Sequence, residues 1–117
     1  FIIRKLGIRV KQSSPKDYVS RFSSVLKLLP KTQNEALRLL KEADKVELTS
    51  GRGPAGISAA ALYVAALMND EKKTQREVAD IAGITEVTIR NRYKELIEKL
   101  DLEEKIKAKE TEMRAKT

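Results

Sequence analysis

The 117-residue chain contains neither cysteine nor histidine. Disulfides, zinc fingers and imidazole-based catalysis or metal binding are therefore excluded, and the absence of thiols fits a reducing cytosol. Long hydrophobic runs are missing too. The longest mainly apolar stretch, residues 57–68, falls well short of the ~20 residues that span a bilayer. The apolar start Phe1-Ile2-Ile3 meets Arg4 and Lys5 too soon for a secretory signal, so no insertion into a membrane is expected. Acidic pairs such as Glu77/Asp80 and Glu95/Glu98 sit at ordinary helix-surface spacing, no nucleophile has an imidazole to activate it, and no calcium-type oxygen loop occurs. The expectation is a non-enzyme without cofactor or metal.

What the chain does have is positive charge and helical periodicity. Its length and 41% hydrophobic content suit one domain with one modest core. A net charge of +7 favours an anionic partner, nucleic acid or a membrane surface. The charge is uneven: residues 1–50 carry 11 basic and 5 acidic side chains, residues 51–100 carry 8 and 7, and residues 101–117 balance. Phe1 rather than Met heads the chain, which suggests a piece cut from something longer.

Residues 1–6 read as the tail of a helix closed by Gly7, and residues 8–13 as an extended basic connector. Ser14-Pro15-Lys16-Asp17 supplies a cap, a first-turn proline and an early acid, the signals of a helix start. Tyr18, Phe22, Val25, Leu26 and Leu29 follow as its apolar stripe, with the end expected at Pro30. A second helix is expected over residues 32–46, with Ala36, Leu37, Leu39, Leu40 and Ala43 facing inward. Pro54 opens a third, to Met68, that is apolar almost all round and so expected to be buried on every side. Beyond Leu100 the chain is highly charged, a solvated helical extension or a frayed tail.

Residues 74–96 carry a helix-turn-helix pattern. Thr74-x-x-Glu77 is a capping box, and Val78, Ala79, Ile81 and Ala82 form a short apolar face. Gly83 provides the positive φ of a tight helix-ending turn, Ile84 an apolar plug and Thr85 the next cap. In the second helix Ile89, Tyr93, Leu96 and Leu100 share one stripe. Val87, Asn91, Lys94 and Glu98 lie opposite, with Arg90 on the flank. In a recognition helix, a valine near the N-terminus touches a thymine methyl and an arginine one turn later donates to guanine. The bland alternative is a plain tri-helical corner. One departure from a simple bacterial repressor is Arg92 at the usual late apolar position, with Tyr93 taking over the packing.

Gly51-Arg52-Gly53-Pro54-Ala55-Gly56 matches the dinucleotide-binding glycine pattern, but a helix-turn-helix rather than a parallel strand follows it. Pro54 also lacks an N–H to offer a phosphate. Arg52 beside a helix start can meet a DNA phosphate, or can be a solvated turn residue.

The five-helix order, Gly53-Pro54-Ala55-Gly56 opening an alanine-rich helix, Thr74-Gln75-Arg76-Glu77 and the run Thr85-Glu86-Val87-Thr88-Ile89-Arg90-Asn91-Arg92-Tyr93-Lys94-Glu95-Leu96 resemble the transcription factor IIB family. The likeness is to the second cyclin-like repeat of its archaeal form, transcription factor B, over about residues 15–100. It implies an all-α, five-helix cyclin-like domain with a central buried helix and a C-terminal helix-turn-helix. Residues 1–14 are then the tail of a preceding repeat and its linker, and residues 101–117 a charged extension. The resemblance also implies a general initiation factor that binds double-stranded promoter DNA in the major groove upstream of the TATA box, at the B-recognition element. TATA-binding protein is the implied partner, and RNA polymerase is reached through the longer protein.

On that reading Val87 and Arg90 match the family's base-contacting pair, with Asn91 beside them, and Gln75 and Arg76 fall where phosphate contacts are expected. Lys94 and Arg52 join the phosphate set, and the domain is expected to be a cytoplasmic, nucleoid-associated monomer. Two alternatives remain at this point. One is a cyclin-like protein-docking module whose helix-turn-helix is only scaffold. The other is an unrelated bacterial-type regulator, which would dimerise on a palindromic site.

Overall fold

The computed structural model describes residues 15–47, 53–71 and 73–102, and these contain five α-helices and no strand. They are α1 (Pro15–Leu26), α2 (Pro30–Lys45), α3 (Pro54–Met68), α4 (Gln75–Ala82) and α5 (Glu86–Lys99). The helix tail, Gly7, basic connector and Ser14 cap expected in residues 1–14 lie outside the described residues. So do Gly51, Arg52 and all but the first two residues of the C-terminal extension.

The apolar composition of α3 places it at the centre. Every residue from Gly56 to Leu67 is buried, and α1, α2, α4 and α5 all pack on it. Small side chains at Ala59, Ala60, Ala61, Ala65 and Ala66 let those neighbours come close. The one buried polar side chain of α3, Ser58, donates its hydroxyl to the Pro15 carbonyl at 3.0 Å and ties α3 to the start of α1. No helix of the described residues is long and apolar enough to cross a membrane.

Three expectations need correction. Val25 and Leu29 do not join the core: they are 55% and 51% exposed. The buried side of α1 is Val19, Phe22, Ser23 and Leu26, and at about 100° per residue Val25 points about 110° away from it. Leu29 lies beyond the helix altogether. Secondly, Pro30 does not end α1. That helix closes at Leu26, where Lys27 takes a left-handed φ of 57° and the Leu28 N–H reaches the Ser23 carbonyl at 3.0 Å. Pro30 instead opens α2, since its fixed φ and missing N–H suit a first helical turn. Thirdly, Ile97 joins Ile89, Tyr93 and Leu96 as a buried residue of α5, while Leu100, just past the helix end, packs against the core only partly buried.

The same left-handed closure ends α3 at Asp70, α4 at Gly83 and α5 at Asp101, each with the next N–H reaching back to the last turn (Glu71 to Ala66, Ile84 to Ala79, Leu102 to Ile97). Only Gly83 occupies that conformation without a side-chain clash. Replacing Lys27, an exposed side chain at φ 57°, by glycine relieves that clash. Lys27→Gly is expected to raise stability by about 0.5–1 kcal/mol, net of the extra chain entropy of glycine in the unfolded state. Urea denaturation checks it through a higher midpoint at unchanged slope.

Candidate nucleic-acid interface

The helix-turn-helix is assembled by local hydrogen bonds. The Thr74 hydroxyl accepts from the Glu77 N–H at 3.0 Å, while the Glu77 carboxylate accepts from the Thr74 N–H at 2.9 Å. This reciprocal box starts α4. Gly83, at φ 71° and ψ 33°, closes it. The chain turns through Ile84, half-buried against the core, to Thr85, whose hydroxyl accepts from the Thr88 N–H at 3.1 Å and starts α5. Val78 and Ala79 of α4 are buried, with Ile81 and Ala82 partly so. Tyr93 takes the packing role, meeting Tyr63 of α3 edge-on with ring centres 5.2 Å apart. Arg92 lies half-buried beside it, ion-paired to Glu95 at 3.0 Å. A Cβ added at Gly56 would lie 3.7 Å from the Arg92 Cγ and 3.6 Å from the Thr88 Cγ2, so α3 begins against the first turns of α5.

The outer face of α5 is Val87, Arg90, Asn91, Lys94 and Glu98, all exposed. Val87 is 57% exposed, so core packing does not explain a valine there. Neither Arg90 nor Lys94 is ion-paired within the described residues, unlike Arg92. Of the residues expected at phosphates, Arg76 is exposed and Gln75 half-buried, both in the first turn of α4, where unsatisfied N–H groups make the helix end electropositive. Arg76 has no ion pair within the described residues either. Arg52 lies outside the described residues, so its expected phosphate contact has no geometry here.

Basic and acidic side chains are equal in number among the described residues. Most of the positive surplus stands ahead of α1, in Arg4, Lys5, Arg9 and Lys11. The helix-turn-helix therefore has uncommitted cations on one face without being a broadly basic surface.

Sequence reasoning missed Glu71. Its carboxylate accepts from the Leu29 N–H at 3.1 and 3.3 Å and from the Thr32 hydroxyl, so it serves as the N-terminal cap of α2. Leu29 itself supplies no capping side chain. Nothing in local spacing announces a cap lying 42 residues away in the sequence.

Comparison with known proteins adds a second line of support. The model of the transcription factor TFIIB repeat matches residues 8–99. Proteins named transcription initiation factor IIB from Archaeoglobus fulgidus and Methanoculleus marisnigri are each 56% identical to the chain over 103 residues. That is 88% of this chain but 32% and 31% of those proteins. The protein of the same name from Methanothermococcus thermolithotrophicus is 54% identical over 103 residues, 30% of its own length. The chain thus spans about a third of the length of these relatives.

Proposed function

Because the chain belongs to the transcription factor TFIIB repeat family, we propose that it is a promoter-binding domain of a general transcription initiation factor. It acts without catalysis, as a monomer, on double-stranded DNA upstream of the TATA box. Its partners are TATA-binding protein and, through the longer protein, RNA polymerase. The domain spans residues 15–100; residues 1–14 lead in from a preceding repeat, and residues 101–117 form a charged extension.

One observation carries this reading: α5 presents Val87 and Arg90, exposed and uncommitted, at the start of the second helix of a helix-turn-helix. An α-helix about 10–12 Å across fits a major groove about 12 Å wide, and the N-terminal residues of a recognition helix reach the base edges. In that pose Val87 packs on a thymine methyl and Arg90 donates two hydrogen bonds to guanine O6 and N7. Asn91 joins them at the bases. Lys94, Gln75 and Arg76 hold phosphates, and Arg52 joins that set. Glu98 lies about three turns farther along the same face, where a carboxylate would repel a phosphate, so in this pose only the first turns of α5 enter the groove.

Binding of a labelled promoter duplex at two salt concentrations, with TATA-binding protein present, tests the proposal. The wild-type chain is expected to bind more tightly to duplexes carrying the upstream element. Arg76→Ala is expected to weaken all sequences alike and to flatten the salt dependence by about one unit of slope, as the loss of one phosphate contact does. Weak binding that ignores the upstream sequence favours a protein-docking module instead.

A further inference from the structure

The α3–α4 linker begins at a residue that is bonded to two separate parts of the fold. Glu71 is anchored twice. Its backbone N–H reaches the Ala66 carbonyl at 2.8 Å, fixing it to the end of α3. Its carboxylate crosses to the α1–α2 turn, taking the Leu29 N–H and the Thr32 hydroxyl. Thr32 is fully buried with Glu71 in place, and its hydroxyl finds its partner in the Glu71 carboxylate. The carboxylate also places negative charge at the positive end of α2.

Downstream of Glu71 the path to the helix-turn-helix is short. Two residues separate it from Thr74, whose capping box locks the first turn of α4. With Cα atoms about 3.8 Å apart along the chain, Thr74 lies within about 11 Å of the anchor. Gln75 and Arg76 follow at once. The position of the first turn of α4 is therefore set from two directions, by packing of Val78 and Ala79 beneath it and by the Glu71 anchor ahead of it.

We propose that Glu71 is a positioning residue for DNA binding, clamping the α3–α4 linker to the α1–α2 turn so that Arg76 meets its phosphate while α5 occupies the groove. The inference rests on the DNA-binding reading above, and Glu71 itself touches no DNA in it. Removing the clamp frees the linker, and Arg76 then meets its phosphate in only a fraction of the complexes.

The test uses the chain with TATA-binding protein on a duplex carrying the upstream element, at a temperature where circular dichroism shows each variant folded. Glu71→Ala is expected to lower affinity by about threefold to tenfold and to flatten the salt slope as Arg76→Ala does. The double variant Glu71→Ala/Arg76→Ala is expected to lose no more than the worse single variant, since both remove the same contact. Glu71→Gln, which keeps a carbonyl acceptor, is expected to recover most of the affinity. Thr32→Val, which removes one partner at nearly constant volume, is expected to lose about twofold by the same route and serves if Glu71→Ala does not fold. A folded Glu71→Ala that binds like wild type, or losses that add in the double variant, overturns the clamp. An Arg76→Ala variant with unchanged affinity and slope overturns the phosphate contact itself, and the clamp with it. Loss with Arg76→Ala but none with Glu71→Ala overturns the clamp alone.

Discussion

Leu62→Ala is expected to destabilise the fold by about 2–5 kcal/mol, in the upper half of that range. Leu62 is fully buried in α3, the helix on which the other four pack. Its loss removes apolar surface and leaves a cavity, and the penalty depends on how far the surroundings collapse into it. Here they collapse poorly. The residues three and four positions away on α3 include Ala59, Ala65 and Ala66, which have no side chain long enough to swing into the gap. Against a total stability of about 5–15 kcal/mol for a typical domain, such a loss is a large share of the whole. Val25→Ala, on an exposed side chain of α1, is expected to change stability by less than about 0.5 kcal/mol. Denaturant titration of the two variants side by side checks both. A Leu62→Ala loss below about 1 kcal/mol would mean that α3 is not the organising helix.

Arg90→Ala is expected to have the opposite profile: unchanged stability and altered recognition. The side chain is exposed and ion-paired to nothing in the described residues, so its removal leaves no unpaired buried partner. If it contacts guanine with two hydrogen bonds, the variant loses about 1–3 kcal/mol of preference at one base pair and little elsewhere. Binding to duplexes mutated one position at a time in the upstream element resolves this. A uniform loss across all of them would make Arg90 a phosphate contact, leaving Val87 and Asn91 to account for sequence preference.

Much of the architecture can be read from local pattern. The alanine-rich stretch from Pro54 to Met68 has no polar face, so its burial follows from composition alone. Thr74/Glu77, Gly83 and Thr85 are short-range capping signals, and each forms the bond its spacing demands. The outward placement of Val87, Arg90, Asn91 and Lys94 follows from helical geometry once Ile89, Tyr93 and Leu96 face the core.

What escaped prediction depends on features that periodicity does not carry. Val25 looks like a core residue because it is apolar and three positions after Phe22, but it lies off the buried side of α1. Leu29 looks like one too, but α1 ends early in a left-handed turn at Lys27, a residue type that gives no sign of it. Pro30 is ambiguous because proline both ends one helix and begins the next. Ile97 joins the stripe as an extra buried residue, while Leu100, just past the end of α5, still packs against the core. Glu71 is the deepest omission. Its role exists only once α3 has brought the linker back beside the α1–α2 turn, so it belongs to the tertiary fold and to no local motif.

Base reading upstream of a TATA box is the role proposed for the first turns of α5. Its most direct test is a footprint of the chain with TATA-binding protein on two promoters, identical except for a purine-rich upstream element. The expected result is protection extending upstream of the TATA box on the promoter with the element, reduced when the element is replaced and less dependent on the element with Arg90→Ala. A footprint identical to that of TATA-binding protein alone, or upstream protection indifferent to the element, would contradict it.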